Sequence, residues 1–115
     1  GTGQTEDRQI LQAVREFVER HGHARFSSLN ATNEPPVRDR AGYWRDTAAG
    51  RVYLFHSAAL REAAPGYEQR RILDALETAG WIAEREERSR SVRITVDGGS
   101  KRRVYAIQPD REGEP

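Results

Sequence analysis

Residues 67–107 read YEQRRILDALETAGWIAEREERSRSVRITVDGGSKRRVYAI and contain the clearest signals of secondary structure in the chain. Its first apolar residues recur at spacings of three and four, which place them on one face of a helix: Ile72, Leu73, Leu76 and Ala79. We therefore predict a helix over residues 68–79. Gly80 ends it, and Trp81 and Ile82 follow as an apolar anchor.

A basic β-hairpin comes next. Residues 92–96 alternate between apolar and polar, as a half-buried strand does, and we predict that they pair with residues 102–107 across a turn at residues 97–100. Between residues 88 and 103 there is one acid, Asp97. The same segment contains six basic residues: Arg88, Arg90, Arg93, Lys101, Arg102 and Arg103.

The N-terminal half adds a helix and a second hairpin. Apolar residues at helical spacing predict a helix over residues 5–21, capped by Thr5 and ended by Gly22. Residues 25–29 are compatible with a short strand, and residues 30–36, with two prolines, are a predicted loop. Aromatic and β-branched runs at residues 42–45 and 51–55 flank a turn at residues 47–50 and predict a β-hairpin. Ser57 is the expected N-cap for a short helix that Pro65 and Gly66 end.

Length and composition limit the classes of protein to consider. The 115 residues suit a single domain, which we place at residues 5–108, after residues 1–4, which we interpret as a cloning scar, and before a flexible tail at residues 109–115. The 19 Lys and Arg nearly balance the 18 Asp and Glu, so any signal for nucleic acid is local. Since cysteine and long apolar runs are absent, we expect no disulfide, no membrane span, no signal peptide and a cytoplasmic location.

The order of helix, glycine, apolar anchor and basic hairpin over residues 57–107 resembles a winged helix-turn-helix domain. The resemblance implies that residues 68–79 take the place of the recognition helix and that the closing hairpin is the wing. The fold class we predict is therefore α+β, a winged-helix-like domain with an additional N-terminal helix and an extra β-hairpin.

A narrower resemblance covers most of the chain. Five segments are similar to the C-terminal region of helicase-like proteins: residues 38–44 (RDRAGYW), 52–55 (VYLF), 66–67, 76–81 and 104–105. These proteins belong to a domain-of-unknown-function family carried by phages and integrative or conjugative elements, and they are often linked to primase modules. The resemblance implies an accessory domain of a larger helicase or primase-helicase. No catalytic residue of the family falls within this chain.

The basic residues favour binding to DNA, duplex or single-stranded. Guanidinium and ammonium groups on a wing contact phosphates and displace condensed counterions. We expect phosphate contacts from Arg88, Arg90, Arg93, Lys101, Arg102 and Arg103, with Arg70 and Arg71 assisting from the helix. Asp74 and Glu77 carry the wrong charge for a helix that reads DNA, so the hairpin, more than the helix, carries this hypothesis.

Other functions have weaker support in the sequence. A protein-interaction or oligomerisation module, one that contacts other domains of the parent protein, would suit the mixed charges of residues 68–79. Guanidinium and aromatic groups that stack on single-stranded bases occur together at Arg38, Arg40, Tyr43 and Trp44. Neighbouring strand residues point to opposite faces, however, so Tyr43 and Trp44 are not expected on one surface. His21, His23 and His56 are better explained by helix ends than by a metal site. We predict no catalytic residue, no metal and no cofactor.

Overall fold

A computed structural model describes residues 2–22, 24–29, 40–96 and 99–109, with side chains from residue 5 onward. Within these residues the chain forms an α+β fold of three helices and six strands. In chain order they are α1 (Thr2–His21), β1 (Phe26–Ser28), β2 (Gly42–Thr47), β3 (Gly50–Phe55), α2 (Ser57–Ala63), α3 (Gln69–Thr78), β4 (Ile82–Glu84), β5 (Val92–Thr95) and β6 (Lys101–Ile107).

Strand β6 organises the sheet, whose order is β1-β2-β3-β6-β4, with β5 also on β6. The first half of β6 pairs with β5, from Thr95 opposite Lys101 to Val92 opposite Val104. Its second half lies between β3 and β4, both antiparallel to it. Strand β1 is parallel to β2, and β2 and β3 form an antiparallel hairpin. The β5–β6 hairpin therefore projects beyond the part of β6 that β3 and β4 flank.

Apolar side chains are buried on both faces of the sheet. The three helices pack on one face, where Phe55 and Ile107 join Ile10, Leu60 and Ile72 in the larger cluster. Because side chains alternate along a strand, the neighbours of Phe55 and Ile107 point to the other face. A second cluster lies there: Tyr43, Val52, Leu54, Ile94, Val104 and Ala106.

Several predicted boundaries are confirmed. The predicted helix over residues 68–79 is α3, with Glu68 and Ala79 as its caps. Gly80 follows it with a φ of +77°, a conformation that glycine adopts at little cost. Gly22 follows the last residue of α1, and both hairpins occur where the pattern placed them.

Two predicted helix caps are wrong. Helix α1 begins at Thr2, so Thr5 lies inside it; no proline precedes Thr5, and the helix continues back toward the start of the chain. Helix α2 begins at Ser57, which makes His56 the N-cap in place of Ser57. The reason is that the His56 N–H donates to the Ala41 carbonyl at 3.0 Å, which holds His56 in an extended conformation.

One strand is not foreseen by the pattern. Ile82, predicted only as an apolar anchor, begins β4 and pairs with Ile107 of β6. The predicted loop at residues 30–36, two residues of the turn (Asp97 and Gly98) and most of the tail (residues 110–115) lie outside the described residues. None of the described helices has the length and apolar character needed to span a bilayer.

Candidate nucleic-acid interface

The register of the β5–β6 hairpin divides its basic residues between two faces. Arg93 is opposite Arg103, and Thr95 is opposite Lys101; residues directly opposite each other point to the same face. Farther along β6, Tyr105 and Ile107 pack into the helix-side cluster. Since side chains alternate, Lys101, Arg103 and Arg93 lie on the helix side of the sheet.

Arg102 lies on the other face of the hairpin. Its partner across the strands is Ile94, which is buried in the second cluster together with Val104. The Arg102 guanidinium donates to the Lys101 carbonyl at 3.3 Å. Lys101, Arg102 and Arg103 are consecutive in the sequence, but Arg102 therefore lies on the opposite face from the other two.

The first turn of α3 lies beside β6. Gln69 Nε2 donates to the Tyr105 hydroxyl at 2.7 Å, which ties the start of the helix to the middle of the strand. Arg70, the next residue, is exposed. The start of α3 is thus on the same side of the sheet as Lys101 and Arg103, four and two residues before Tyr105.

Arg71 is held by α1. Its Nε donates to Glu6 Oε1 at 3.2 Å and its Nη2 to Asp7 Oδ1 at 2.6 Å. Hydrogen bonds to Asp7 and then to Glu6 raise the pKa of this guanidinium, whose side chain is 30% exposed. Arg71 therefore joins α1 to α3, and its donors point at carboxylates of this chain.

Two further predicted residues are also in ion pairs. Arg90 Nη1 donates to Asp74 Oδ1 at 2.6 Å and to Glu77 Oε2 at 3.2 Å, and its side chain is 21% exposed. Arg103 Nη1 donates to Glu86 Oε1 at 2.9 Å and to the Ser91 hydroxyl at 2.8 Å. These two side chains stabilise the segment between β4 and β5.

The carboxylates of α3 are compensated by arginines from that segment. Glu77 Oε1 accepts a hydrogen bond from Arg85 Nη1 at 2.7 Å. Hydrogen bonds from Arg90 to Asp74 and from Arg85 to Glu77 are the largest causes that lower the pKa of each carboxyl group. From the sequence alone these acids oppose DNA, and Arg85 is not assigned a role. The arginines that pair with them lie after β4, among further glutamates, so the sequence does not single them out.

Five of the eight predicted binding residues are exposed and form no ion pair with any residue in the described part of the chain. They are Arg70, Arg88, Arg93, Lys101 and Arg102.

The aromatic residues of β2 are covered by arginines. Tyr43 is buried in the second cluster, and the Arg40 guanidinium lies 5.0 Å from its ring centroid. Trp44 points to the helix side, with the Arg51 guanidinium 3.8 Å from its ring. The two rings lie on opposite faces, so they do not form one stacking platform. Arg38 and Asp39 lie outside the described residues.

The two histidines that the structure describes lie on opposite faces of the sheet. His21 packs on Phe17 in α1, with the ring centroids 4.8 Å apart, whereas His56 contacts Tyr43 on the other face of the sheet. His23 is outside the described residues. Among residues 2–22, 24–29, 40–96 and 99–109, no three His, Asp or Glu side chains are grouped as metal ligands.

Comparisons of this chain with protein-family models, with curated proteins and with solved structures found no match.

Proposed function

We propose that this chain is a nucleic-acid-binding accessory domain that contacts backbone phosphates mainly through the β5–β6 hairpin. The observation that carries the proposal is the set of five exposed cations without an ion-pair partner among the described residues: Arg70, Arg88, Arg93, Lys101 and Arg102. A cation without a carboxylate partner gives up no ion pair when it contacts a phosphate. Each phosphate neutralised also releases counterions.

The order of elements supports a winged-helix arrangement for this domain. Strand β3 precedes two short helices, and β4, β5 and β6 follow them, with β6 between β3 and β4 in the sheet. In this interpretation α3 occupies the recognition-helix position and the β5–β6 hairpin is the wing. A parent protein of the helicase or primase-helicase type, from a mobile element, is part of the proposal on the strength of the sequence resemblance.

The placement of the charges favours contacts to the backbone over readout of bases. Arg93 and Lys101 of the wing lie on the same side of the sheet as Arg70 at the start of α3. One strand of nucleic acid can therefore pass from the helix to the wing. On α3 itself, Asp74 and Glu77 are engaged by Arg85 and Arg90. We therefore expect weak sequence preference and strong dependence on salt.

The test is a fluorescence-anisotropy titration of labelled duplex, forked and single-stranded DNA at low salt. The variant Arg93→Gln/Lys101→Gln removes two cations from the helix side of the wing. Its matched control, Arg20→Gln/Arg61→Gln, removes two exposed cations from α1 and α2 and has the same net charge. The proposal expects binding by the native chain, a clear loss of affinity in the wing variant and a much smaller loss in the control. Absence of binding to all three DNA forms, or equal losses in the two variants, would contradict it.

A protein-interaction module is the alternative function. An apolar docking patch around Tyr67 or Trp44 would favour it, but the described residues include no exposed large hydrophobic side chain. The Tyr67 hydroxyl donates to Gln9 Oε1 at 2.8 Å, and Arg51 covers Trp44. These contacts leave the charged wing as the better candidate surface.

A further inference from the structure

The face of the sheet that carries the second apolar cluster also carries a group of positive charges. His56 follows β3 directly and lies with its imidazole against Tyr43, the ring centroids 5.8 Å apart in an edge-on contact. Arg40 stacks on the same tyrosine, and its Nη1 donates to the Tyr43 hydroxyl at 3.1 Å. Tyr43 thus holds an imidazole and a guanidinium beside one another.

Arg102 approaches this group from β6. In the register of the sheet, Phe55 is opposite Tyr105, so His56, one residue on, adjoins Val104 on the same face as Arg102. The charges of Arg102 and Arg40 both act on His56. Burial is the largest cause that lowers the pKa of His56, and these two guanidinium groups lower it further. Within the part of the chain that the structure describes, no acidic group counters them at His56, and neither arginine is in an ion pair.

We propose that Arg102 of the wing, with Arg40 and His56, forms a second phosphate-binding site, on the face of the sheet opposite to Arg93 and Lys101, which takes a backbone phosphate of the bound nucleic acid. The inference rests on the proposed function for the source of the phosphate. Both guanidinium charges act on the imidazole, so a phosphate placed among the three groups would accept hydrogen bonds from them and relieve their mutual repulsion. A wing with phosphate contacts on both faces can lie between two strands of a duplex.

The site gives binding a dependence on pH. In the native chain without ligand the pKa of His56 lies below its ordinary value, so the imidazole is neutral at neutral pH. A phosphate favours the charged imidazolium and raises that pKa. By linkage, affinity then increases as the pH falls through the interval between the bound-state and the unbound-state pKa values. The gain is about tenfold for each unit by which the phosphate raises the pKa.

The experiment measures duplex affinity between about pH 5 and pH 8 at constant ionic strength, and the NMR titration of the His56 ring with and without saturating duplex. The variants are His56→Gln and Arg40→Gln, with thermal unfolding to show that each is folded. The matched control is His21→Gln, which removes a histidine from the helix side of the molecule. We expect the native chain and the control to bind more tightly at low pH, His56→Gln to have a flat profile, and the duplex to raise the His56 pKa. Arg40→Gln, if folded, weakens binding at low pH.

Failure of this inference is distinguishable from failure of the proposed function. If duplex binds but the His56 pKa does not change, or His56→Gln keeps the pH dependence, the second site is refuted and the wing proposal stands. If no nucleic acid binds, the wing proposal fails, and titration of the His56 ring with inorganic pyrophosphate decides the site alone. A rise in the His56 pKa with pyrophosphate then supports an anion site, and no rise refutes it.

Discussion

At the scale of single residues, the arginines that form ion pairs within the chain differ from those that are free to bind a phosphate. Arg70 and Arg71 are neighbours on α3, yet Arg70 is exposed whereas Arg71 donates to Glu6 and Asp7 of α1. A guanidinium that already satisfies two carboxylates must give them up to reach a phosphate. The number of basic residues in the sequence therefore overstates the number available for binding.

Replacing Arg71 by glutamine separates these roles. We expect Arg71→Gln to lower the melting temperature, because α1 and α3 lose two ion pairs, and to change duplex affinity by less than about twofold. We expect Lys101→Gln to leave the melting temperature unchanged. Because it removes one phosphate contact, it weakens duplex binding by roughly eightfold at about 0.1 M salt. Thermal unfolding and anisotropy titrations of both variants make the comparison. A larger loss of affinity in Arg71→Gln than in Lys101→Gln would show that Arg71 reaches the nucleic acid.

At the scale of elements, ion pairs hold α3 to the segment between β4 and β5. Asp74 and Glu77 contribute two carboxylates on one side of the helix, and Arg85 and Arg90 contribute the opposing charges. Because this segment leads into β5, these contacts help to fix the angle at which the wing leaves the domain. Helix α3 therefore orients the wing even if it makes no contact with bases.

The same contacts predict how stability depends on pH. Hydrogen bonds from Arg90 and Arg85 hold the pKa values of Asp74 and Glu77 below their ordinary 3.8 and 4.5. The stabilisation by these ion pairs is complete above the ordinary pKa values. It is lost as the pH falls through the lowered pKa values of the folded chain. We expect Arg90→Gln to melt below the native chain at neutral pH, with the difference shrinking below about pH 4.

Thermal unfolding followed by circular dichroism at a series of pH values measures that difference. The control is Arg88→Gln, since Arg88 is exposed in the same segment and forms no ion pair with the described residues. Its melting temperature should follow the native curve throughout. A deficit in Arg90→Gln that persists unchanged into acid would show that the ion pairs are not its cause.

Local pattern was enough to predict most elements but not the assignment of charges. Helix α3 and the two hairpins follow from apolar spacing and glycine positions, because those signals lie within each element. Strand β4 has three residues, too few for a period, and its pairing with Ile107 and Ala106 of β6 joins distant parts of the chain. The Arg71 ion pairs join residues 64 and 65 positions apart, and the site at Arg40, His56 and Arg102 is assembled by strand register. Neither is visible in a local window.

At the scale of the whole molecule, the structure places cations on both faces of one projecting hairpin. Arg93 and Lys101 continue the helix side of the sheet beside Arg70, and Arg102 joins His56 and Arg40 on the other side. With a net charge of +1, attraction to nucleic acid depends on this local concentration and not on the charge of the chain as a whole.

The salt dependence of duplex affinity shows whether the wing binds phosphates. On duplex DNA, the slope of log K against log salt becomes shallower by about 0.9 for each phosphate that the protein no longer neutralises. We therefore predict that Arg93→Gln/Lys101→Gln has a slope shallower than the native chain by about 1.8, whereas Arg20→Gln/Arg61→Gln keeps the native slope. Equal slopes for the native chain and the wing variant would show that Arg93 and Lys101 contact no phosphate.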